Sequence, residues 1–117
     1  VIACADIDTD AAKSSAEKFN VKAQSVEDLL SNSEIDLIIN LTIPSAHKEV
    51  IINSLNAGKH CFSEKPLAMN FQEGLEIQKI AENKLKASDL RKDINFNISG
   101  LTSILSPKNS KDQIIFV

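Results

Sequence analysis

The stretch from Ile35 to Pro66 restricts the fold more than any other part of the chain. Ile35 to Leu41 is an apolar run of strand length, rich in Ile and Leu. Pro44 stops it, and proline presets the backbone angle of a first helical position. The next segment has helical spacing, with Val50, Ile51, Ser54 and Leu55 on one face. Gly58 closes that helix, because glycine takes the left-handed conformation that a helix end often needs. His60 to Ser63 forms a second short strand, ending on Glu64-Lys65-Pro66. Two parallel strands joined by one helix make a βαβ unit with a right-handed crossover. The clusters Thr42–His47 and Glu64–Pro66 then fall at the carboxyl ends of neighbouring strands, the edge where open α/β sheets bind ligands. His47 lies four residues before Ile51 and shares its inward face, so it is aimed at that edge.

The flanking segments continue the alternation. Val1 to Ala5 is a buried strand ending at Asp6. Asp8 or Thr9 caps the following helix by accepting from free N–H groups in its first turn. Ala12, Ala16 and Phe19 share one face of it, and Asn20 ends it. Val21 to Gln24 is a short edge strand. Ser25 with Asp28 makes a capping box for a helix burying Val26, Leu29 and Leu30. After Pro66, Asn70 caps a further helix with Glu73 reaching back and Phe71, Leu75, Ile77, Ile80 and Ala81 on its apolar side. Gly74 in that helix suits a close approach to a strand. Beyond Lys84 the pattern weakens. Ile94 to Ser99 alternates like a half-buried strand, Ser106 to Ser110 is a loop by composition, and Gln113 to Val117 is a last strand.

Composition adds exclusions. A chain of 117 residues is enough for one domain. Net charge is −3, which favours neither nucleic acid nor an acidic membrane as a partner. No apolar stretch is long enough to span a bilayer. The two cysteines, Cys4 and Cys61, lack metal-ligand spacing, so no metal is expected. They point to a reducing compartment such as the cytoplasm, with both thiols free.

The combination Thr42-x-Pro44-x-x-His47, Ala57-Gly58-Lys59-His60 and Glu64-Lys65-Pro66 resembles the nucleotide-binding domain of the Gfo/Idh/MocA dehydrogenases. The resemblance covers Val1 to Lys84. It implies an NAD(P)-dependent oxidoreductase acting on a sugar- or polyol-like secondary alcohol, with a small-molecule substrate and room for a homo-oligomer. By resemblance Asp6 takes the place of the acidic residue that accepts hydrogen bonds from the adenosine ribose. Read alone, Asp6 is equally a surface turn or a helix cap. Its carboxylate would repel a 2′-phosphate and Ile7, not an arginine, follows it, so NAD is expected over NADP. Thr42 and Pro44 stand where the family contacts the cofactor, though a plain strand-to-helix turn explains them as well. His47 is either a satisfied core histidine or a cofactor contact. Glu64, Lys65 and Pro66 complete the expected cofactor-binding set. Lys65 is the expected catalytic residue, orienting the substrate oxygen and sharing its proton. Against this stands a plain surface ion pair of Glu64 and Lys65.

Two parts of the family pattern find no counterpart. The first strand with its Gly-x-Gly-x-x-Gly loop would precede Val1, and the three glycines are scattered. Residues 85–117 are too few for the family's substrate domain. The expectation is therefore an incomplete Rossmann-type doubly wound parallel sheet over residues 1–84 and an irregular tail over residues 85–117. Such a chain is expected to be a truncated or degenerate dehydrogenase, inactive alone and with weak NAD affinity. The rival readings are a catalytically silent nucleotide- or sugar-sensing module, and a remnant without function.

Overall fold

The computed structural model describes residues 1–87, in which strands and helices alternate. The sequence features placed at 94–99, 106–110 and 113–117 lie outside the described residues. β1 (Ala3–Cys4) leads into α1 (Thr9–Phe19). The Asp8 carboxylate caps α1, accepting from the N–H groups of Asp10 and Ala11 at 2.9 and 3.2 Å. Asn20 ends it at φ 53°. Ala12 and Ala16 are buried, but Phe19 is 64% exposed, with the Lys18 ammonium 5.2 Å from its ring centre. Helical period fixes a residue's face and not the reach of its partner, and β1 and β2 are two residues each.

β2 (Lys22–Ala23) runs parallel to β1, with Ala3 opposite Lys22. α2 (Val26–Ser31) starts at Ser25, whose hydroxyl accepts the Asp28 N–H at 3.0 Å. Its Leu29 is buried, with Val26 and Leu30 packed around the same core.

β3 (Leu37–Asn40), α3 (Pro44–Asn56) and β4 (His60–Ser63) form the βαβ unit. The strand is shorter than the apolar run that announces it. Ile35 enters the core ahead of β3, and Leu41 beyond it is 46% exposed. Pro44 opens α3, and Gly58, at φ 76°, turns the chain towards β4. The Lys59 ammonium donates to the Asn32 carbonyl at 2.6 Å, tying the start of β4 to the end of α2. β3 and β4 pair in parallel from Leu37 opposite His60 to Asn40 opposite Ser63.

α4 (Phe71–Ala87) follows. Asn70 accepts the Glu73 N–H at 3.0 Å, while the Glu73 carboxylate reaches back to the Met69 N–H, one residue before the cap. Ile77 and Ala81 are buried, but Phe71 is 81% and Leu75 40% exposed, so the covered stripe is narrower than the apolar one. A Cβ placed on Gly74 would meet nothing within 4 Å, so this glycine serves no close approach. The Lys48 ammonium meets the Glu76 carboxylate at 2.7 Å, joining α3 to α4.

Among the described residues β1 bonds to β2 and β3 to β4, with no ladder between the pairs. Apolar packing joins them instead. Ala3 and Ala5 from the first pair meet Leu29, Ile35 and Ile38 in one buried cluster. No helix among these residues is long and apolar enough to cross a membrane.

Candidate functional site

The parallel register brings Asn40 and Ser63 side by side, so the turns after β3 and β4 leave from the same edge. Asn40 is completely buried, on the same face of β3 as Ile38. A buried amide must find partners for both its oxygen and its nitrogen. Its Oδ1 accepts from the Thr42 hydroxyl at 2.7 Å and the Thr42 N–H at 3.2 Å. Its Nδ2 donates to Ser63 Oγ at 3.1 Å and to the His47 carbonyl at 3.3 Å. One side chain thus binds β3, the turn after it, the first turn of α3 and the end of β4.

Neither Asn40 nor Ser63 stands out in the sequence. A single amide closing an apolar run looks like a strand terminator. Only the pairing register, which the sequence does not state, turns it into a junction.

His47 continues the network. It is 1% exposed, with Nδ1 2.7 Å from the Pro66 carbonyl oxygen and Nε2 2.8 Å from that of Thr42. Its inward placement is as the spacing predicts, and both ring nitrogens are engaged by the chain's own backbone.

Above this buried layer the polar groups are open. Pro44, Glu64, Lys65 and Pro66 are exposed and Thr42 is half-buried. The Glu64 N–H donates to the Asn40 carbonyl at 3.0 Å, carrying the β3–β4 ladder one residue past Ser63. Glu64 Oε2 lies 3.4 Å from the Lys65 N–H, and the Lys65–Pro66 peptide is cis. Asp6 follows β1, away from this cluster in the chain. It is exposed, and its Oδ1 accepts the Asp8 N–H at 2.9 Å, leaving Oδ2 to face outward. The structure therefore gathers Thr42, Pro44, His47, Glu64, Lys65 and Pro66 around one edge, with Asp6 on the neighbouring strand pair.

Both cysteines are free thiols. Burial pushes the Cys61 thiol up to about 11, with Ser54 pulling weakly the other way. Burial and then the Asp6 charge also raise Cys4. Neither suits nucleophilic work, which needs thiolate. Among the described residues no group of three or more His, Cys, Asp or Glu side chains is gathered to hold a metal ion.

Residues 1–88 match the oxidoreductase family Gfo/Idh/MocA, NAD-binding Rossmann fold. An uncharacterized oxidoreductase of Streptococcus pneumoniae is 38% identical over 71 residues, 60% of this chain and 19% of that protein. An inositol 2-dehydrogenase of Salmonella paratyphi B is 28% identical over 99 residues, 82% of this chain and 29% of that one. The crystal structure of a 3-ketoreductase from Actinomadura kijaniata, in complex with NADP and TDP-benzene, superposes with a TM-score of 0.67 at 28% identity. That match covers 72% of this chain and 26% of the ketoreductase. The chain thus spans less than a third of the length of each of these relatives.

Proposed function

The chain belongs to the Gfo/Idh/MocA oxidoreductase family with its NAD-binding Rossmann fold, and from that premise we propose that it forms the cofactor side of an NAD(P)-dependent dehydrogenase of a sugar- or polyol-like secondary alcohol. The observation that carries this reading is the edge where the turns after β3 and β4 are locked from below by Asn40 and present Lys65 outward. A nicotinamide supplies hydride transfer when bound. The donor set fits it. Asp6 keeps a carboxylate oxygen for a ribose hydroxyl, and Thr42, Pro44, Glu64 and Pro66 frame the edge on which Lys65 stands. Lys65 Nζ orients the substrate hydroxyl and shares its proton, so that loss of the C–H hydride leaves a neutral ketone.

The substrate class follows the relatives. One is named an inositol 2-dehydrogenase and another a 3-ketoreductase, and alcohol–ketone chemistry on a polyol- or sugar-like substrate is proposed here. Asp6 favours NAD over NADP, since a carboxylate at the ribose 2′ position repels a phosphate.

Calorimetric titration with NAD and NADP, followed by turnover on a panel of sugars and polyols, tests both parts. Saturable, weak binding with NAD preferred is the expected result for this chain, and turnover of at least one polyol is expected of an enzyme restored with the glycine-loop strand and a substrate domain. Absence of binding to either nucleotide overturns the reading. Binding without turnover across the panel would favour a nucleotide-sensing module.

A further inference from the structure

His47 is placed where an ordinary neutral histidine does not fit. Both of its ring nitrogens face backbone carbonyl oxygens, at 2.7 Å and 2.8 Å. A carbonyl oxygen only accepts. A neutral imidazole donates through one nitrogen and holds a lone pair on the other, so it would set a lone pair against one carbonyl. His47 is 1% exposed, so its ring nitrogens are turned away from bulk water. Only a ring carrying both protons satisfies both oxygens.

We propose that His47 is a positioning residue, a doubly protonated imidazolium that donates to Thr42 and Pro66 together and so fixes the turn after β3 against the turn that carries Lys65. Two effects oppose the charge, namely burial and the positive end of α3. Two others favour it. Charge-assisted hydrogen bonds are roughly twice as strong as neutral ones, and the neutral form sets a ring lone pair against a carbonyl oxygen 2.7 or 2.8 Å away. The backbone of His47 is itself held by Asn40 Nδ2 at 3.3 Å, and burial of the residue restricts the ring's freedom to turn towards a single partner.

The titratable neighbours are few. β3 carries none. β4 contributes His60 and Cys61, the turn beyond it Glu64 and Lys65, and α4 Glu73 and Glu76. On α3 itself stand Glu49 and Lys48, the latter occupied by Glu76. When the ring loses a proton, one of the two contacts opens and the turns part.

That this clamp sets the position of Lys65 for hydride chemistry rests on the dehydrogenase reading; the double donor does not. The test therefore has two arms. In the first, the full chain with ¹⁵N-labelled histidine is titrated by NMR, with His60→Gln used to assign the rings. Both His47 nitrogens should show protonated signals. As the ring deprotonates, the Ile43 and Leu67 amides, which follow the two carbonyls, should shift with the same midpoint while those of α1 stay still. A neutral tautomer at every pH where the chain is folded, or amides that ignore the titration, overturns the proposal. In the second arm, His47→Gln supplies one donor nitrogen that cannot span both oxygens. In an enzyme restored with the glycine-loop strand and a substrate domain, turnover should fall about tenfold to 100-fold, the scale of a misplaced catalytic group, with KM for NAD changed far less. A fall in thermal stability alone, with kcat intact, removes the positioning role. Should the restored enzyme with His47 intact show no turnover, the dehydrogenase reading fails and the first arm still decides the double donor.

Discussion

Lys65 follows Glu64, whose N–H bonds the Asn40 carbonyl, yet Lys65 and Asn40 call for opposite tests. Lys65 is exposed, so removing its side chain takes little from the fold. In an enzyme restored with the glycine-loop strand and a substrate domain, Lys65→Ala is expected to lower turnover at least about 100-fold, the usual scale for a proton-transfer group, with the thermal midpoint nearly unchanged. Near-normal turnover would remove it from the catalytic role. Asn40 is the reverse case. Asn40→Asp keeps the shape but turns the donating nitrogen into an acceptor aimed at the His47 carbonyl, leaving a buried carboxylate oxygen without a donor there. A buried group left without its partner costs about 1–3 kcal/mol, so a loss of at least about 2 kcal/mol in denaturant unfolding is expected. A loss within error would mean that the junction of β3, α3 and β4 does not depend on this amide.

At the scale of elements, α4 offers a gain. Gly74 has a helical backbone and open space where a methyl would go. Gly74→Ala should raise stability by about 0.5–1 kcal/mol, since glycine in a helix interior carries that penalty. No gain in the unfolding midpoint would show that the space is filled by something else. The start and stop signals of the helices were legible because they are local. Asp8, Ser25, Asn20 and Asn70 each act within a few residues, and Pro44 and Gly58 act through their own backbone angles. Phe19, Phe71 and Leu75 misled because periodicity names a face without naming what covers it. Asn40 was invisible for a related reason. Its partner Ser63 lies 23 residues away and is brought near only by the register of β4. The two strand-edge motifs were readable as a pair, whereas the buried layer that holds them was not.

At the scale of the molecule, two strand pairs share one apolar seam, and each pair carries one thiol, Cys4 in β1 and Cys61 in β4. The Cys61 thiol is raised from 9.0 to about 11, so the folded state holds its proton more tightly than the unfolded chain. Its contribution to stability is whole below about pH 9 and is lost as pH climbs towards about 11. Unfolding followed through that window should show the decline, and Cys61→Ala should make the slope shallower; an unchanged slope would place the decline elsewhere, with the Lys48–Glu76 pair next in line because Glu76 raises the lysine in the same direction. The same two thiols also make the chain its own clock. A protonated, enclosed sulfur does not react with iodoacetamide until its surroundings open, so each cysteine counts the openings of its own half. If Cys4 and Cys61 are alkylated at rates that track one another as denaturant is added, the seam of Ala3, Ala5, Leu29, Ile35 and Ile38 welds the halves into one cooperative unit; if one runs ahead, the chain breathes in two independent parts.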